Sequence, residues 1–329
     1  MPTGLPSMNR WGTAEMRRYL LVRLGSVLLT LLLTSVFVFL VTFALPGDPA
    51  RLMLGREAGD AAVQALRTEL GLDRPLPVQY VSWLGGYIRG DWGVSFATGE
   101  PVRGLVLERA VNSLHLALLT LVLVVPVAVL LGVIAAVRAD RWPDHVISVS
   151  TLAVVGLPEF VTGLVLIQVF AFGLGWFPAN ASFPSDATWL EALPLRILPA
   201  LTASLVMLAY VTRLTRASVL AELGRPYVRT ARLNGVREAV TLRRHVLRNA
   251  LLPTVTVVAI SFGWLMSGLI VVENVFNYPG LGRLMTFAID RRDVPLMQAI
   301  TLVSVMFFAL ANAVADVMYA YLDPRIRLA

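Results

Sequence analysis

The chain has 329 residues, is 57% hydrophobic with a mean hydropathy of +0.72, and carries a formal net charge of +7. Soluble domains sit nearer roughly 45–50% apolar, and here the excess is gathered into long runs, which marks an integral membrane protein. All 28 basic residues are arginine and there is no cysteine, which excludes a Walker A phosphate loop, a Schiff-base lysine, a disulfide, a thiolate nucleophile and a Cys-ligated metal.

Residues 1–19 read as a cytoplasmic tail holding Arg10, Arg17 and Arg18. The first apolar run, 20–45, is longer than a signal-peptide core, and Leu45-Pro-Gly-Asp48 is no small-residue cleavage site. It therefore reads as a retained first span. The loop 46–111 balances seven arginines against eight acids and is expected on the outer side, since long loops cross largely regardless of charge. Asp60 can open a helix whose Val63, Leu66 and Leu70 follow helical spacing, and Gly71 stops it. Pro75 and Pro77 open a second helix in which Val81, Leu84 and Ile88 share a face near Trp83 and Tyr87. Such aromatics favour the membrane–water boundary.

A core over 112–321 holds five further spans, at about 112–137, 146–174, 197–212, 253–273 and 297–321. Each is close to the ~20 residues a bilayer requires. Span four reads as short because Arg213 and Arg216 stop it. Arg138 and Arg141 follow span two, nine arginines fall between Tyr210 and Pro253, and Arg325 and Arg327 lie in the tail 322–329. The positive-inside bias then makes both termini and the loop 213–250 cytoplasmic. That bias accounts for the net charge without nucleic acid.

Residues 224–253 carry the functional reading. Gly224 breaks the incoming helix, and Pro226 suits a first helical position. Arg225, Arg229 and Arg232 line one face, with Val228 and Ala231 off it. Asn234-Gly235 is a helix stop that tolerates positive φ. A second helix is expected from about Arg237 to Asn249, with Ala239, Leu242 and Val246 apolar and Arg237, Arg244 and Arg248 elsewhere, before Pro253 begins the next span. Lipid phosphates would attract the same arginines at about 1 kcal/mol each. Lipid anchoring, however, needs no turn at a fixed place. The glycine-punctuated pair suits a knob gripped by a partner.

Several motifs in this order resemble the inner-membrane permease subunits of the dipeptide/oligopeptide/nickel branch of ATP-binding-cassette importers. They are Leu45-Pro-Gly-Asp-Pro49; Leu70-Gly-Leu-Asp-Arg-Pro75 with Gln79-Tyr80; Gly90-Asp-Trp-Gly-Val-Ser95; Gly173-Leu-Gly-Trp-Phe-Pro178; Arg213-Leu-Thr-Arg-Ala-Ser218; Glu273-Asn-Val-Phe-Asn-Tyr-Pro-Gly-Leu-Gly-Arg283; and Tyr321-Leu-Asp-Pro-Arg-Ile-Arg327. The superfamily's Glu-Ala-Ala-x-x-x-Gly loop matches Arg229-Thr230-Ala231 through Gly235, with arginine for glutamate as in the peptide branch. Leu233-Asn234 departs from that branch's usual Ala-Lys. The resemblance implies an all-α fold of six transmembrane helices, of the type I importer kind. Residues 227–249 would be coupling helices, with Tyr227, Arg229, Thr230, Ala231, Arg232, Gly235, Arg244 and Arg248 meeting an ATP-binding subunit. It further implies a second homologous permease, two ATP-binding subunits that hold the ATP and Mg, an extracytoplasmic binding protein and surrounding lipid. This chain is expected to hold no cofactor, metal or catalytic residue of its own.

Glu159, in Gly156-Leu-Pro-Glu-Phe160, is a carboxylate midway along span three. Such a group is costly and points to function. Pro158 would loosen the helix there, so both are candidates for lining the translocation path, against a Glu paired with arginine. Asp316 and Asn312 read as packing or capping residues, and Glu273 as a solvated carboxylate at the outer surface. His115, His145 and His245 are scattered, and no His-Glu-x-x-His exists. An intramembrane hydrolase would need a Ser–His pair or metal ligands. A motor-independent carrier or channel would show paired intramembrane charges or inverted repeats. The importer reading stands ahead of both, with peptides ahead of nickel chelates or another small solute as cargo.

Overall fold

The computed structural model of the protein describes residues 13–44, 49–54, 58–69 and 71–322. Most of the first loop motif at 45–48, the start of the N-terminal tail and the closing motif beyond 322 lie outside the described residues. Among the described residues the chain is all α-helical. The helices are α1 (Thr13–Ala44), α2 (Pro49–Leu54), α3 (Asp60–Glu69), α4 (Leu76–Arg89), α5 (Val102–Val137), α6 (Trp142–Val155), α7 (Glu159–Leu166), α8 (Leu193–Leu223), α9 (Pro226–Leu233), α10 (Glu238–Thr241), α11 (Leu247–Gly268), α12 (Ile270–Val275), α13 (Leu281–Arg291) and α14 (Val294–Leu322). Two wide π-turns, Ile167–Gly173 and Leu242–Val246, continue α7 and join α10 to α11.

Five described helices are long and apolar enough to cross a bilayer, and α6 with α7 forms a sixth span broken by 108°. The break falls at Gly156-Leu157-Pro158, where Pro158 holds ψ 141° ahead of the first turn of α7. Proline removes a donor and disfavours helix at the residue before it, and here, next to Gly156 and with its own ψ extended, it separates the two halves.

Spans two and four run about ten residues beyond their expected bounds. Helix α5 begins at Val102, ten residues before 112, and α8 runs to Leu223 rather than stopping at 212. Arginine is a good helix former, so neither the exposed Arg213 nor Arg216, which pairs with Asp144, ends the helix. The second helix of the arginine hairpin is not a separate piece ending at Asn249. It continues from Glu238 through Pro253 into the fifth span.

The core is the α5–α8 seam. A methyl group on Gly132 would lie 2.6 Å from Thr215 Cβ and 2.7 Å from the Thr212 carbonyl oxygen, so the two backbones meet there. Thr212 Oγ1 donates to the Ala128 carbonyl across the seam, at 3.3 Å. Without water to drive apolar association, small residues and close backbones are how spans adhere. Leu116, Val124, Leu198, Met207, Val211 and Leu265 fill the space around it.

Helix α1 is exposed along most of its length, as a lipid-facing span is, and polar clips hold it to α14. Gln298 donates to Thr42 Oγ1 at 2.7 Å, and Arg23 pairs with Asp316. Asp316 is thus a helix-joining residue, as a packing role requires. Ser35 shares a 2.8 Å hydrogen bond with Tyr80, from which Phe39, Tyr80, Trp83, Tyr87 and Trp92 form a continuous ladder of rings. Helices α3 and α4 stand where the loop periodicity puts them. Gly71 and Gly90 adopt φ of 68° and 90° at their ends, a conformation cheap only for glycine.

Candidate functional site

The arginine hairpin is built from local signals and then fixed by packing. Helix α9 closes with the Val236 N–H donating to the Ala231 carbonyl at 3.1 Å and the Gly235 N–H to the Arg232 carbonyl at 3.0 Å. Gly235 takes φ 75°. This paired closure needs a left-handed residue after the cap, which is why glycine stands there. Val228 is fully buried against Ala136 of α5, Val219 of α8 and Val246 and Ala250 at the base of the fifth span. The hairpin is therefore mounted on the ends of three spans.

Its other face is open. Arg225, Arg229, Thr230 and Arg232 are exposed, as are Arg244 within the π-turn and Arg248 just beyond it, while Ala231 is half-buried. Arg232 donates to Glu238 Oε1 at 2.9 Å across the turn; both are exposed, so the pair contributes at most about 1 kcal/mol. The Tyr227 hydroxyl donates to Glu222 Oε2 at 2.8 Å, and burial followed by that carboxylate pushes its phenol above the ordinary value. Apolar Leu233 is 79% exposed beside Val236 and Val240. A small cavity of about 60 Å³ lies behind the turn, lined by Val137, Leu223, Arg232, Glu238, Thr241 and Leu242.

Pro158 and Glu159 sit together at the break in span three. Glu159 is half-buried at the first turn of α7, a position where a carboxylate also suits the helix N-terminus. No described residue forms a salt bridge with it, and its backbone carbonyl accepts from Thr162 Oγ1 at 2.7 Å. Helix α7 packs through Gly163 against Thr202, Val275 and Phe276.

The end opposite the hairpin holds a buried polar hub that sequence reasoning missed. Glu273 is not a solvated surface carboxylate but is fully buried. Its Oε2 accepts the Gly282 and Arg283 N–H groups at 2.6 and 3.1 Å, and its Oε1 accepts Ser113 Oγ at 2.6 Å. Ser113 Oγ in turn accepts the Leu281 N–H at 2.8 Å. The carboxylate thus satisfies the orphan donors at the start of α13. Gly280 is required because any side chain there would meet Glu273 Oε1 at 2.2 Å. Tyr278 donates to the Asn112 carbonyl at 2.8 Å, and Arg196 Nε donates to its hydroxyl at 3.3 Å. Burial pushes this phenol up to about 12, with the Arg196 guanidinium acting the other way. Asp293 forms a second anchor: it accepts Ser95 Oγ at 2.5 Å and the N–H groups of Ala97 and Leu296 at 3.1 and 3.2 Å. It thereby caps α14 and ties the Gly90–Ser95 motif beneath it. Ser113 donates to a carboxylate rather than to a histidine, so it forms no nucleophile–base pair with His115.

A multi-pass helical protein with one broken span and a cationic hairpin fixed to its helix ends is the layout of a transport subunit. The chain belongs to the family described as binding-protein-dependent transport system inner membrane component, whose model matches residues 128–328. The model of the corresponding N-terminal region matches residues 16–117. The chain is 41% identical over 314 residues to the glutathione transport system permease protein of Pectobacterium atrosepticum, covering 95% of this chain and 99% of that one. It is 40% identical over 312 residues to the protein of the same description from Escherichia coli K12, with 95% and 99% covered. The Salmonella choleraesuis protein of that description is 41% identical over 314 residues, again with 95% and 99% covered. This chain is accordingly a permease subunit of an ATP-binding-cassette importer, spanning the bacterial inner membrane several times.

Proposed function

We propose that the chain carries peptides inward, with the arginine hairpin in the cytoplasm as the handle that separate ATP-binding subunits turn. The observation that carries this reading is the hairpin's two-faced construction. Val228 seats it on α5, α8 and the fifth span, while Leu233, Arg229, Arg232, Arg244 and Arg248 are exposed on the side away from it. An exposed apolar residue on a helix that also carries exposed arginines is poorly suited to water and well suited to a protein groove. Tyr227, Arg229, Thr230, Ala231, Arg232, Gly235, Arg244 and Arg248 are the proposed contacts.

Two ATP-binding subunits would hold ATP and Mg, a second homologous permease would complete the path, and an extracytoplasmic binding protein would deliver cargo. The chain itself would catalyse nothing and hold no cofactor. Motion enters only through contacts that differ between the two states of the assembly. Glu159, unpaired at the break of span three, is the proposed meeting point for a peptide's ammonium end. The relatives named for glutathione, a tripeptide, favour peptides over nickel chelates.

The test uses single cysteines, for which the cysteine-free chain is ready. Thr230→Cys in the complete complex is expected to cross-link to an ATP-binding subunit and to react only with reagents that enter the cytoplasm. Proteoliposomes carrying the four-subunit core and the binding protein are expected to accumulate labelled glutathione or dipeptides on ATP addition. Labelling of Thr230→Cys from the outside, or uptake by this chain alone, refutes the reading.

A further inference from the structure

Near the hairpin, a half-buried arginine and a buried aspartate form an ion pair between elements that no loop joins. Arg216 of α8 donates from Nε to Asp144 Oδ1 and from Nη2 to Oδ2, each at 2.6 Å. Asp144, in the first turn of α6, is 2% exposed. Its remaining acceptor capacity is used by the Asp140 N–H at 3.0 Å and by Ser148 Oγ at 3.2 Å. Asp140 belongs to the turn after α5 and holds φ 61° there. One carboxylate thus ties together the α5–α6 turn, α6 and α8. A forked, charge-assisted pair transmits both position and orientation, because two parallel bonds fix the plane of the guanidinium.

Its place in the chain gives the pair a mechanical reading. From Arg216, α8 runs on for two helical turns to Leu223, and the hairpin follows directly at Pro226. From Asp144, α6 runs to the 108° break, beyond which lies Glu159. Hairpin, α8, Asp144–Arg216, α6 and the break form one continuous series of stiff elements and one hinge. Residues 156–158 contain the glycine and proline that can absorb a change of angle between α6 and α7.

We propose that Asp144 and Arg216 are a positioning pair that carries hairpin movement into the broken span, so that ATP use and opening of the path at Glu159 stay coupled. This rests on the hairpin being the motor contact, as proposed above. The pair touches neither cargo nor the motor; it acts through α6.

The experiment compares moles of solute moved per mole of ATP hydrolysed in proteoliposomes of the complete complex. For Arg216→Gln we expect assembly and ATP hydrolysis within about twofold of the parent, with the transport ratio falling at least tenfold. The double variant Asp144→Cys/Arg216→Cys is expected to show the same low ratio when reduced. Cross-linking its two thiols with a short bifunctional reagent should restore the ratio at least threefold. An unchanged ratio, or equal falls in hydrolysis and uptake, overturns the proposal. Failure of both variants to assemble also overturns it, since the pair would then be a folding element only. A parent complex that moves no solute on ATP addition would instead refute the motor reading beneath it.

Discussion

Replacing Glu273 with alanine strips the acceptor from three buried donors at once: the Gly282 and Arg283 N–H groups and Ser113 Oγ. A buried donor left unsatisfied costs about 1–3 kcal/mol, so the simple sum runs from about 3 to 9 kcal/mol. Water entering the space left by the carboxylate would re-satisfy part of this, and we expect a net loss of about 4 kcal/mol. For a large chain, at roughly 2 °C per kcal/mol, that is a fall of about 8 °C in the unfolding midpoint. Glu273→Gln should lose about half as much, because its carbonyl can still accept the two amides while its NH2 turns a donor toward Ser113 Oγ. That oxygen already accepts the Leu281 N–H. The assay is the fraction of detergent-purified complex that remains monodisperse after heating through a temperature series. Midpoints for Glu273→Ala within about 2 °C of the parent would refute the capping role.

Gly132→Ala would force a methyl into the Thr212 carbonyl and Thr215 side chain; we expect about 1–3 kcal/mol of destabilisation, read in the same heating series. Gly235→Ala meets no neighbour within 4 Å but keeps φ 75°, so its cost of roughly 1–2 kcal/mol is confined to the turn. Uptake should fall and proteolysis near Asn234 rise, with the unfolding midpoint lower by no more than about 4 °C. Asp293→Ala releases Ser95 and Ala97, and protease cleavage between residues 95 and 101 should rise at least tenfold. Glu159→Gln should depress uptake of peptides with a free ammonium end more than uptake of amino-blocked ones; equal uptake of both, at parental rates, removes Glu159 from the path.

By itself the sequence determined what local chemistry decides. Runs of apolar residues long enough for a bilayer, a weak point at Pro158, a helix break at Gly224 and a left-handed stop at Gly235 follow from neighbours a few positions away. For that reason the all-α class, the number of spans and the two-faced hairpin were legible, whereas Pro158 read only as loosening span three and not as the 108° break found there. Two charges with remote partners, Arg216 and Glu273, were misread. Arg216 reads as the end of a span because hydropathy counts a guanidinium as exposed, yet α8 runs two turns further and Arg216 is paired with Asp144, 72 residues earlier. Asp144 itself left one faint signal, a lone acid opening an apolar stretch. Glu273 reads as a surface carboxylate because its donors include Ser113, 160 positions away. Only the tertiary structure brings such groups within hydrogen-bond reach, and in a low-dielectric interior that proximity alone separates a costly charge from a cap.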